Sequence, residues 1–211
     1  MLKDAVFDLD ASAQEGGTVI DSIAKIEFTN METKMDVDGV RYFDLTNSYL
    51  ERKRDTNLKD GQFYTHAYLL KWRASDTNNR SLLRHGTGSC GGVIKRSKNL
   101  GIYSNLKNRF LDSGYDISPQ EDYWDVLVAT GAAESFSSSN GRGLTIFYTL
   151  DTETGKMKLR GMVDGVCSGM KYFQIGRSEQ GPGKIARVMA WARMLSKAEI
   201  EAIAAPLKNG T

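Results

Sequence analysis

Cysteine, proline and long apolar runs are all scarce in this sequence. Its two cysteines, Cys90 and Cys167, form no C-x-x-C pair and lack the cysteine–histidine spacing of a zinc site. A disulfide between them and two buried free thiols are the two alternatives. Three prolines among 211 residues exclude a proline-rich linker or tail. We therefore expect one domain, residues 1–211, with a substantial hydrophobic core.

The sequence also lacks an apolar stretch that could span a bilayer. Residues Met1–Asp4 show no apolar signal region. The formal net charge of +2 is too small to predict a nucleic-acid or membrane partner from overall electrostatics. Two short basic runs, at 52–54 and 95–98, are interpreted as solvated loops, with contact to an anionic polymer as the alternative. The sequence thus predicts no nucleic-acid partner and no membrane span.

Short stretches typical of β-strands recur along the whole chain. The longest is 63–72, and others lie at 5–9, 24–28, 39–45, 81–84, 93–95, 100–103, 124–129, 144–150, 157–163 and 172–175. Turn sequences such as Asp38-Gly39 and Asp164-Gly165 separate many of them. No strand–helix–strand rhythm appears, which disfavours a parallel α/β sheet. The pattern predicts an all-β fold, a two-sheet antiparallel β-sandwich.

One helix is predicted, near the C-terminus. Ser196–Glu199 has the pattern of a capping box, in which the serine and glutamate side chains each accept from the other residue's amide. Leu195 and Ile200 stand where a hydrophobic staple belongs. The sequence predicts a short amphipathic helix that runs through Ile203, ends near Pro206 and packs on the edge of the sandwich.

The segment around this helix has a more specific pattern. In Gly183–Ile200, an apolar strand with Trp191 leads into a Ser-x-x-Glu-Ile helix; Tyr172–Gly176 ends in Ile-Gly, and Asp122–Ala129 is a tryptophan-led strand. In order and spacing these segments resemble concanavalin A-like, laminin-G-like domains. The resemblance implies a jelly roll with a short C-terminal helix. Because such domains include lectins, adhesion modules, glycanases and polysaccharide lyases, it leaves the function open.

Catalytic patterns are weak. The glycanases of this fold require carboxylates two and four or five residues apart on one strand, and that spacing does not occur. Glu121, Asp122 and Asp125 come closest, at a loop-to-strand junction with a different spacing. A lyase would need a base and a charge-neutralising group, for which Tyr172 and Gln174 on one predicted strand and His66 on another are incomplete candidates. We expect no enzymatic activity and assign no catalytic residue.

The candidate ligand-binding residues lie on the long strand predicted at 63–72. Period-two alternation places Tyr64, His66, Tyr68 and Trp72 on one side of it. If the opposite, smaller side is core, this aromatic row lies on an outer sheet, where flat rings can stack on sugar faces. The alternative is that the row itself is core.

Calcium would suit the resemblance, although no cofactor is required. Loop oxygens that could bind Ca²⁺ are offered by Asp76, Asn78 and Asn79, or by Asp112 and Asp116. Neither loop has the spacing of a defined calcium motif, so solvated loops are the alternative.

These observations predict a non-catalytic module that binds carbohydrate or a protein or glycoprotein partner through a sheet face or the adjacent loops. A structural subunit that contacts neighbouring subunits of an assembly is the alternative, and a polysaccharide-degrading enzyme is a third. Two glycosylation acceptor triplets, Asn79-Arg80-Ser81 and Asn209-Gly210-Thr211, favour an extracellular or cell-surface location.

Overall fold

A computed structural model describes residues 4–14, 18–29, 31–51, 63–74, 79–85, 90–104, 107–121, 123–133, 143–165, 173–176 and 181–209. The strands are β1 (Phe7–Asp10), β2 (Val19–Ile20), β3 (Glu27–Phe28), β4 (Thr33–Met35), β5 (Arg41–Asp44), β6 (Tyr49–Glu51), β7 (Phe63–Trp72), β8 (Asn79–Ser81), β9 (Leu83–His85), β10 (Cys90–Arg96), β11 (Asn99–Ser104), β12 (Arg109–Asp116), β13 (Asp125–Ala133), β14 (Gly143–Asp151), β15 (Lys156–Asp164), β16 (Phe173–Gly176) and β17 (Gly183–Trp191). The described residues contain one α-helix, α1 (Lys197–Asn209), and short 3-10 turns at Ala11–Ala13 and Ser118–Gln120. Every strand pairing among the described residues is antiparallel.

The largest sheet has eight strands and contains β7 near its centre. Its order is β15-β14-β13-β7-β17-β5-β4, and β1 also pairs with β17. Only Phe63 and Lys71 of β7 are not buried. The strand is rich in aromatic and other apolar residues because both of its faces are covered. The bounds predicted for this strand are confirmed.

A second layer consists of a four-stranded sheet, β12-β11-β10-β8, and a three-stranded sheet, β6-β16-β9. The main core lies between the two layers, where Phe43, Tyr68, Leu70, Leu127, Phe147 and Val188 of the large sheet join a cluster with Leu50, Leu83, Leu100, Ile102 and Ile175 of the second layer. The predicted two-layer antiparallel β-sandwich is confirmed.

Helix α1 packs on the outer face of the large sheet and forms a second core. Its buried residues Ile200, Ile203, Ala204 and Leu207 join a cluster with Leu69, Val126, Val128, Leu150 and Met157. The predicted position on the edge of the sandwich is therefore wrong: the helix covers a face. No helix among the described residues is long and apolar enough to cross a membrane.

The ends of α1 confirm one prediction and correct another. The Ser196 amide donates to Glu199 Oε2 at 2.8 Å, and the Glu199 amide donates to Ser196 Oγ at 3.3 Å, which is the predicted capping box. The helix continues past Pro206 to Asn209 instead of ending there. Leu207, 1% exposed, packs beneath the last turn, and this burial offsets the hydrogen bond that the proline cannot donate.

The segment predicted as a strand at 24–28 is mostly a turn. Asp21 is fully buried, and its carboxylate accepts the amides of Ile23, Ala24 and Ile26 at 3.0–3.1 Å. Lys25 has a φ of 57°, in the left-handed region. Because Asp21 binds these amides, only Glu27–Phe28 remains for strand pairing.

The two layers come together where β15 lies against β12. A Cβ atom on Gly161 would be 2.5 Å from the Ser113 carbonyl oxygen, closer than any real Cβ contact. Only glycine permits the backbones to approach this closely. The sandwich is therefore closed along this side by direct backbone contact.

Candidate functional site

The strongest candidate site lies on the outer face of the second layer, where β11 pairs with β12. In β11, Leu100 and Ile102 point into the core, so Gly101 and Tyr103 point outward. Across the ladder, Tyr103 pairs with Phe110 and Gly101 pairs with Asp112. We define the β11–β12 face as Asn99, Tyr103, Asn108, Phe110 and Asp112, which are all half-buried or exposed.

The aromatic part of this face depends on a glycine. A Cβ atom on Gly101 would lie 2.7 Å from Cζ of Phe110, so the phenyl ring lies directly over the Gly101 backbone. The Tyr103 hydroxyl donates to Asn108 Oδ1 at 3.0 Å, which fixes the orientation of the phenol. Asn108 has a φ of 47°, a conformation that asparagine adopts more readily than most residues. The two rings thus come from paired residues of neighbouring strands, and each is held on the surface by its own contact within this face.

A polar pair adjoins the two rings. Asn99 Nδ2 donates to Asp112 Oδ2 at 2.6 Å, and Asp112 Oδ1 accepts the amide of Gly114 at 2.8 Å. The Asn99 amide retains a second N–H and a carbonyl oxygen for other partners. Arg96 pairs with Asn99 across the β10–β11 ladder and is exposed, which adds a positive charge at this end. The face therefore combines ring surface with hydrogen-bond donors and acceptors.

The aromatic row predicted as a binding face is buried. Tyr64, His66, Tyr68 and Trp72 are 1%, 1%, 0% and 2% exposed, and Tyr68 and Trp72 belong to the main core. Side chains so enclosed offer no ring face to a sugar, so the row belongs to the interior, the alternative that the alternation left open. The reason is that α1 covers the opposite side of β7 as well, which the pattern of β7 does not reveal.

His66 is unusual within this row. Its ring lies between those of Tyr64 and Tyr68, with centroids 5.0 and 6.5 Å away. Neither ring nitrogen has a hydrogen-bond partner among the described residues. Burial lowers the pKa of His66 to about 3, so the imidazole is neutral at physiological pH.

The acidic residues suggested for calcium have other partners. Asp112 binds Asn99 and Gly114, as described above. Asp116 Oδ1 accepts from the hydroxyl and amide of Ser118, and Oδ2 lies 2.9 Å from Lys98 Nζ. The Ser118 hydroxyl is the largest cause, and Lys98 the next, of a pKa of about 2 for Asp116. Over the described part of the chain, no three His, Cys, Asp or Glu side chains cluster as metal ligands.

Some of the predicted residues lie outside the described residues: Asp76, Asn78, Asp122, Cys167 and Tyr172. Of the possible lyase residues that are described, Gln174 donates to Glu51 Oε1 at 2.8 Å and His66 is buried. Gln174 is therefore already hydrogen-bonded to Glu51, and His66 is enclosed in the interior.

Asp125 forms a buried polar cluster rather than part of an open carboxylate pair. It is 4% exposed and lies on the core-facing side of β13, like Leu127. Burial raises its pKa to about 7, although the amides of Val126 and Leu150 and the charge of Arg160 act in the opposite direction. Its Oδ2 atom has no hydrogen-bond partner within the described ranges.

The groups beside Asp125 come from β12, β14 and β15. The Arg160 guanidinium lies 5.2 Å from the centre of the Tyr115 ring, and its Nε donates to Thr149 Oγ1 at 2.9 Å. Burial raises the pKa of the Tyr115 hydroxyl. Because Asp125 Oδ2 is enclosed, a substrate could not reach it. We therefore interpret the cluster as a buried polar group of the core in which Asp125 retains its proton more readily than an exposed carboxyl does.

The sequence did not reveal most of the β11–β12 face. Asp112 was suggested only as a calcium ligand, and Phe110 lies in a strand that was not predicted. The available signal was the alternation Asn99-Leu100-Gly101-Ile102-Tyr103, which places one glycine and one aromatic residue on the polar side of a short strand.

Comparisons with solved structures identify the same fold. The binding domain of botulinum neurotoxin DC in complex with SialylT is 12% identical, with a TM-score of 0.63, over 98% of this chain and 52% of that chain. The same binding domain with rat synaptotagmin II is 11% identical, with a TM-score of 0.66, over 98% and 52%. Trypanosoma rangeli sialidase with sialic acid is 14% identical, with a TM-score of 0.59, over 98% and 33%.

These identities establish the β-sandwich fold alone. The chain spans about half the length of the botulinum structures. No model of a known protein family matches the sequence. No curated protein matches it. The fold occurs both in binding domains and in an enzyme, so the function must be argued from the residues of this chain.

Proposed function

We propose that this chain is a non-catalytic binding module that recognises carbohydrate through the β11–β12 face. The observation that carries the proposal is the surface pair Tyr103 and Phe110 beside the hydrogen-bonded pair Asn99 and Asp112. Aromatic rings stack on the apolar faces of sugars, while amide and carboxylate groups bind the hydroxyls at the sugar's edge. A glycan is also suggested by two structures that share this fold over 52% and 33% of their length, a botulinum neurotoxin binding domain in complex with SialylT and a sialidase in complex with sialic acid.

The geometry of the face favours binding with little loss of side-chain freedom. Phe110 rests on Gly101, and Tyr103 is held by Asn108, so both rings are ordered before a ligand arrives. Preordered side chains lose little conformational freedom on binding. An extracellular or cell-surface location, as the acceptor triplets favour, would suit this role.

A glycan array tests the proposal, repeated with and without calcium. Tyr103→Ala and Phe110→Ala should each weaken binding by about tenfold, the loss expected when about 1.4 kcal/mol of stacking is removed. Their urea unfolding midpoints should change little because both rings are on the surface. Arg96→Gln distinguishes acidic from neutral sugars, since only an acidic glycan should bind this variant more weakly.

Tyr123→Ala is the matched control, because Tyr123 is 68% exposed and lies outside the β11–β12 face. It should bind glycans as the unmodified protein does. The face would be excluded as the site if Tyr103→Ala, Phe110→Ala and Tyr123→Ala all bound glycans as strongly as the unmodified protein. Equal losses of binding in Tyr123→Ala and Tyr103→Ala would exclude it too.

A second candidate function is assembly with a protein partner or with neighbouring subunits. It is favoured by apolar side chains on the outer face of β14 and β15: Leu144, Leu159 and Met162 are 40%, 49% and 53% exposed. Ile146 pairs with Met162, which extends the patch. A botulinum neurotoxin binding domain that shares this fold over 52% of its length is in complex with rat synaptotagmin II, which is compatible with a protein partner. Sedimentation velocity of the unmodified protein and of Met162→Lys tests self-association, and only the unmodified protein should associate.

A further inference from the structure

A pocket of about 300 Å³ lies on the outer face of the large sheet, on a different surface from the β11–β12 face. It is enclosed by the end of β1 with its 3-10 turn, the β4–β5 hairpin, β7, β17 and the C-terminal part of α1. The volume is at the lower end of the range for small-molecule sites. A ligand of amino-acid size would therefore fit it.

The floor of the pocket is apolar. Leu69, Ala186 and Leu207 line it and are 3%, 5% and 1% exposed. Val40 adds a half-buried side chain, and Met35, 56% exposed, stands at the mouth. An apolar group that entered this pocket would displace water from hydrophobic surface at the floor and at the mouth.

Some charges in the wall are already matched within the protein. Arg187 forms two hydrogen bonds of 2.8 Å with the Asp8 carboxylate, and its Nη1 atom lies 3.5 Å from Asp10 Oδ2. Asp10 Oδ1 also accepts from the Ser12 hydroxyl at 2.6 Å. These groups form a rigid polar wall.

Two opposite charges at the rim are exposed. Asp38 and Arg41 lie three positions apart on the β4–β5 hairpin and both line the pocket. Arg41 donates through Nη1 to Thr33 Oγ1 at 3.2 Å, and a guanidinium has four further N–H donors. The hairpin is closed by the Asp36 amide, which donates to the Val40 carbonyl at 2.9 Å. The rim thus presents one cation and one anion above an apolar floor.

We propose that this hairpin pocket binds a small zwitterion with an apolar body, the chemistry of a free α-amino acid with an aliphatic or aromatic side chain. The ligand carboxylate pairs with Arg41, the ammonium pairs with Asp38, and the side chain covers Ala186 and Leu69. A ligand of a single charge would leave one rim group unmatched, and glycine would leave the floor uncovered. The site is independent of the carbohydrate-binding face.

Titrations followed by the backbone amide NMR signals of Ala186 and Leu207 test the proposal. L-Leucine, L-methionine and L-phenylalanine are the probes, and at least one should give a saturable shift. L-Leucinamide lacks the carboxylate, 4-methylpentanoate lacks the ammonium, and glycine lacks the apolar body. Each of these should bind at least about tenfold more weakly than L-leucine.

Variants assign the binding to the pocket. Arg41→Gln and Asp38→Asn remove one charge each from exposed positions and should weaken leucine binding by about tenfold. Ala186→Met should fill the floor and abolish binding. Lys197→Gln, an exposed cation at the start of α1, should have no effect.

The absence of a saturable shift with all three amino acids would overturn the proposal. So would binding of the tightest of the three amino acids that is unchanged in both Arg41→Gln and Asp38→Asn, whether or not Ala186→Met folds. Because glycan-array binding reports on a different surface, its failure or success leaves this result unaffected.

Discussion

Replacing Asp125 by asparagine should stabilise the protein at neutral and alkaline pH. Burial raises the pKa of this carboxyl from 3.8 to about 7 in the folded protein. In the unfolded chain the group is solvated and has its ordinary pKa of about 3.9. Between these two values the folded protein keeps a proton that the unfolded chain has released, so the free energy of unfolding falls as pH rises from about 4 to about 7.

The magnitude follows from the size of that interval. At about 1.36 kcal/mol for each pH unit, the loss from pH 4 to above pH 7 amounts to about 4 kcal/mol. Asparagine has the same shape and keeps an oxygen for the amides of Val126 and Leu150, but it has no proton to lose. The variant should therefore match the unmodified protein near pH 4 and exceed it by up to about 4 kcal/mol near pH 8.

Urea unfolding of the two proteins at several values between about pH 4 and about pH 8 measures this difference. The titration of His66 occurs in both proteins and cancels in the comparison. Asp164→Asn is the control: the Asp164 side chain is 79% exposed, so its effect on stability should be small at every pH. A variant that is no more stable than the unmodified protein near pH 8 would show that Asp125 is ionised in the fold and stabilised by Arg160.

Three further changes test other parts of the structure. The pKa of His66 is about 3 in the folded protein and 6.5 in the unfolded chain. As pH falls between these values, His66 therefore lowers the free energy of unfolding by up to about 5 kcal/mol. In His66→Phe the free energy of unfolding should decrease less steeply with falling pH over the same range. Tyr68→Ala should lower the free energy of unfolding by about 3–5 kcal/mol in urea, since Tyr68 is fully buried; an unchanged midpoint would contradict its place in the core. Ser196→Ala should cost about 1 kcal/mol in the same assay by removing the N-cap hydrogen bond, whereas Ser196→Asp should retain most of it.

The sequence predicted those features that depend on local pattern. The capping box at Ser196 was correct because both partners lie within four residues of each other. The bounds of β7 were correct because aromatic residues, other apolar residues and a threonine fill most of its ten positions. In contrast, the extension of α1 past Pro206 depends on the burial of Leu207 against the large sheet, a contact between distant parts of the chain.

The candidate site was less predictable for the same reason. Whether either side of β7 is exposed to solvent depends on the second layer and on α1, which cover its two faces, and neither covering can be predicted from the alternation within β7. The β11–β12 face combines residues from two strands whose register shifts between Asn99 and Gly101. The alternation along β11 could mark Tyr103 as an outward residue, but no pattern along one strand could place Phe110 opposite it.

The contact of Gly161 with Ser113 has a mechanical consequence. It acts as a seam, because the backbones of β15 and β12 approach each other so closely at Gly161 that no side chain fits between them there. If the two layers separate transiently, we expect them to stay in contact at the seam and to open on the opposite side, at β4, the last strand of the large sheet. Amide hydrogen exchange should therefore be slow in β12 and β15 and fast in β4 and β5. Gly161→Ala, which adds a single methyl group at the contact, should push β15 and β12 apart and destabilise this side of the sandwich.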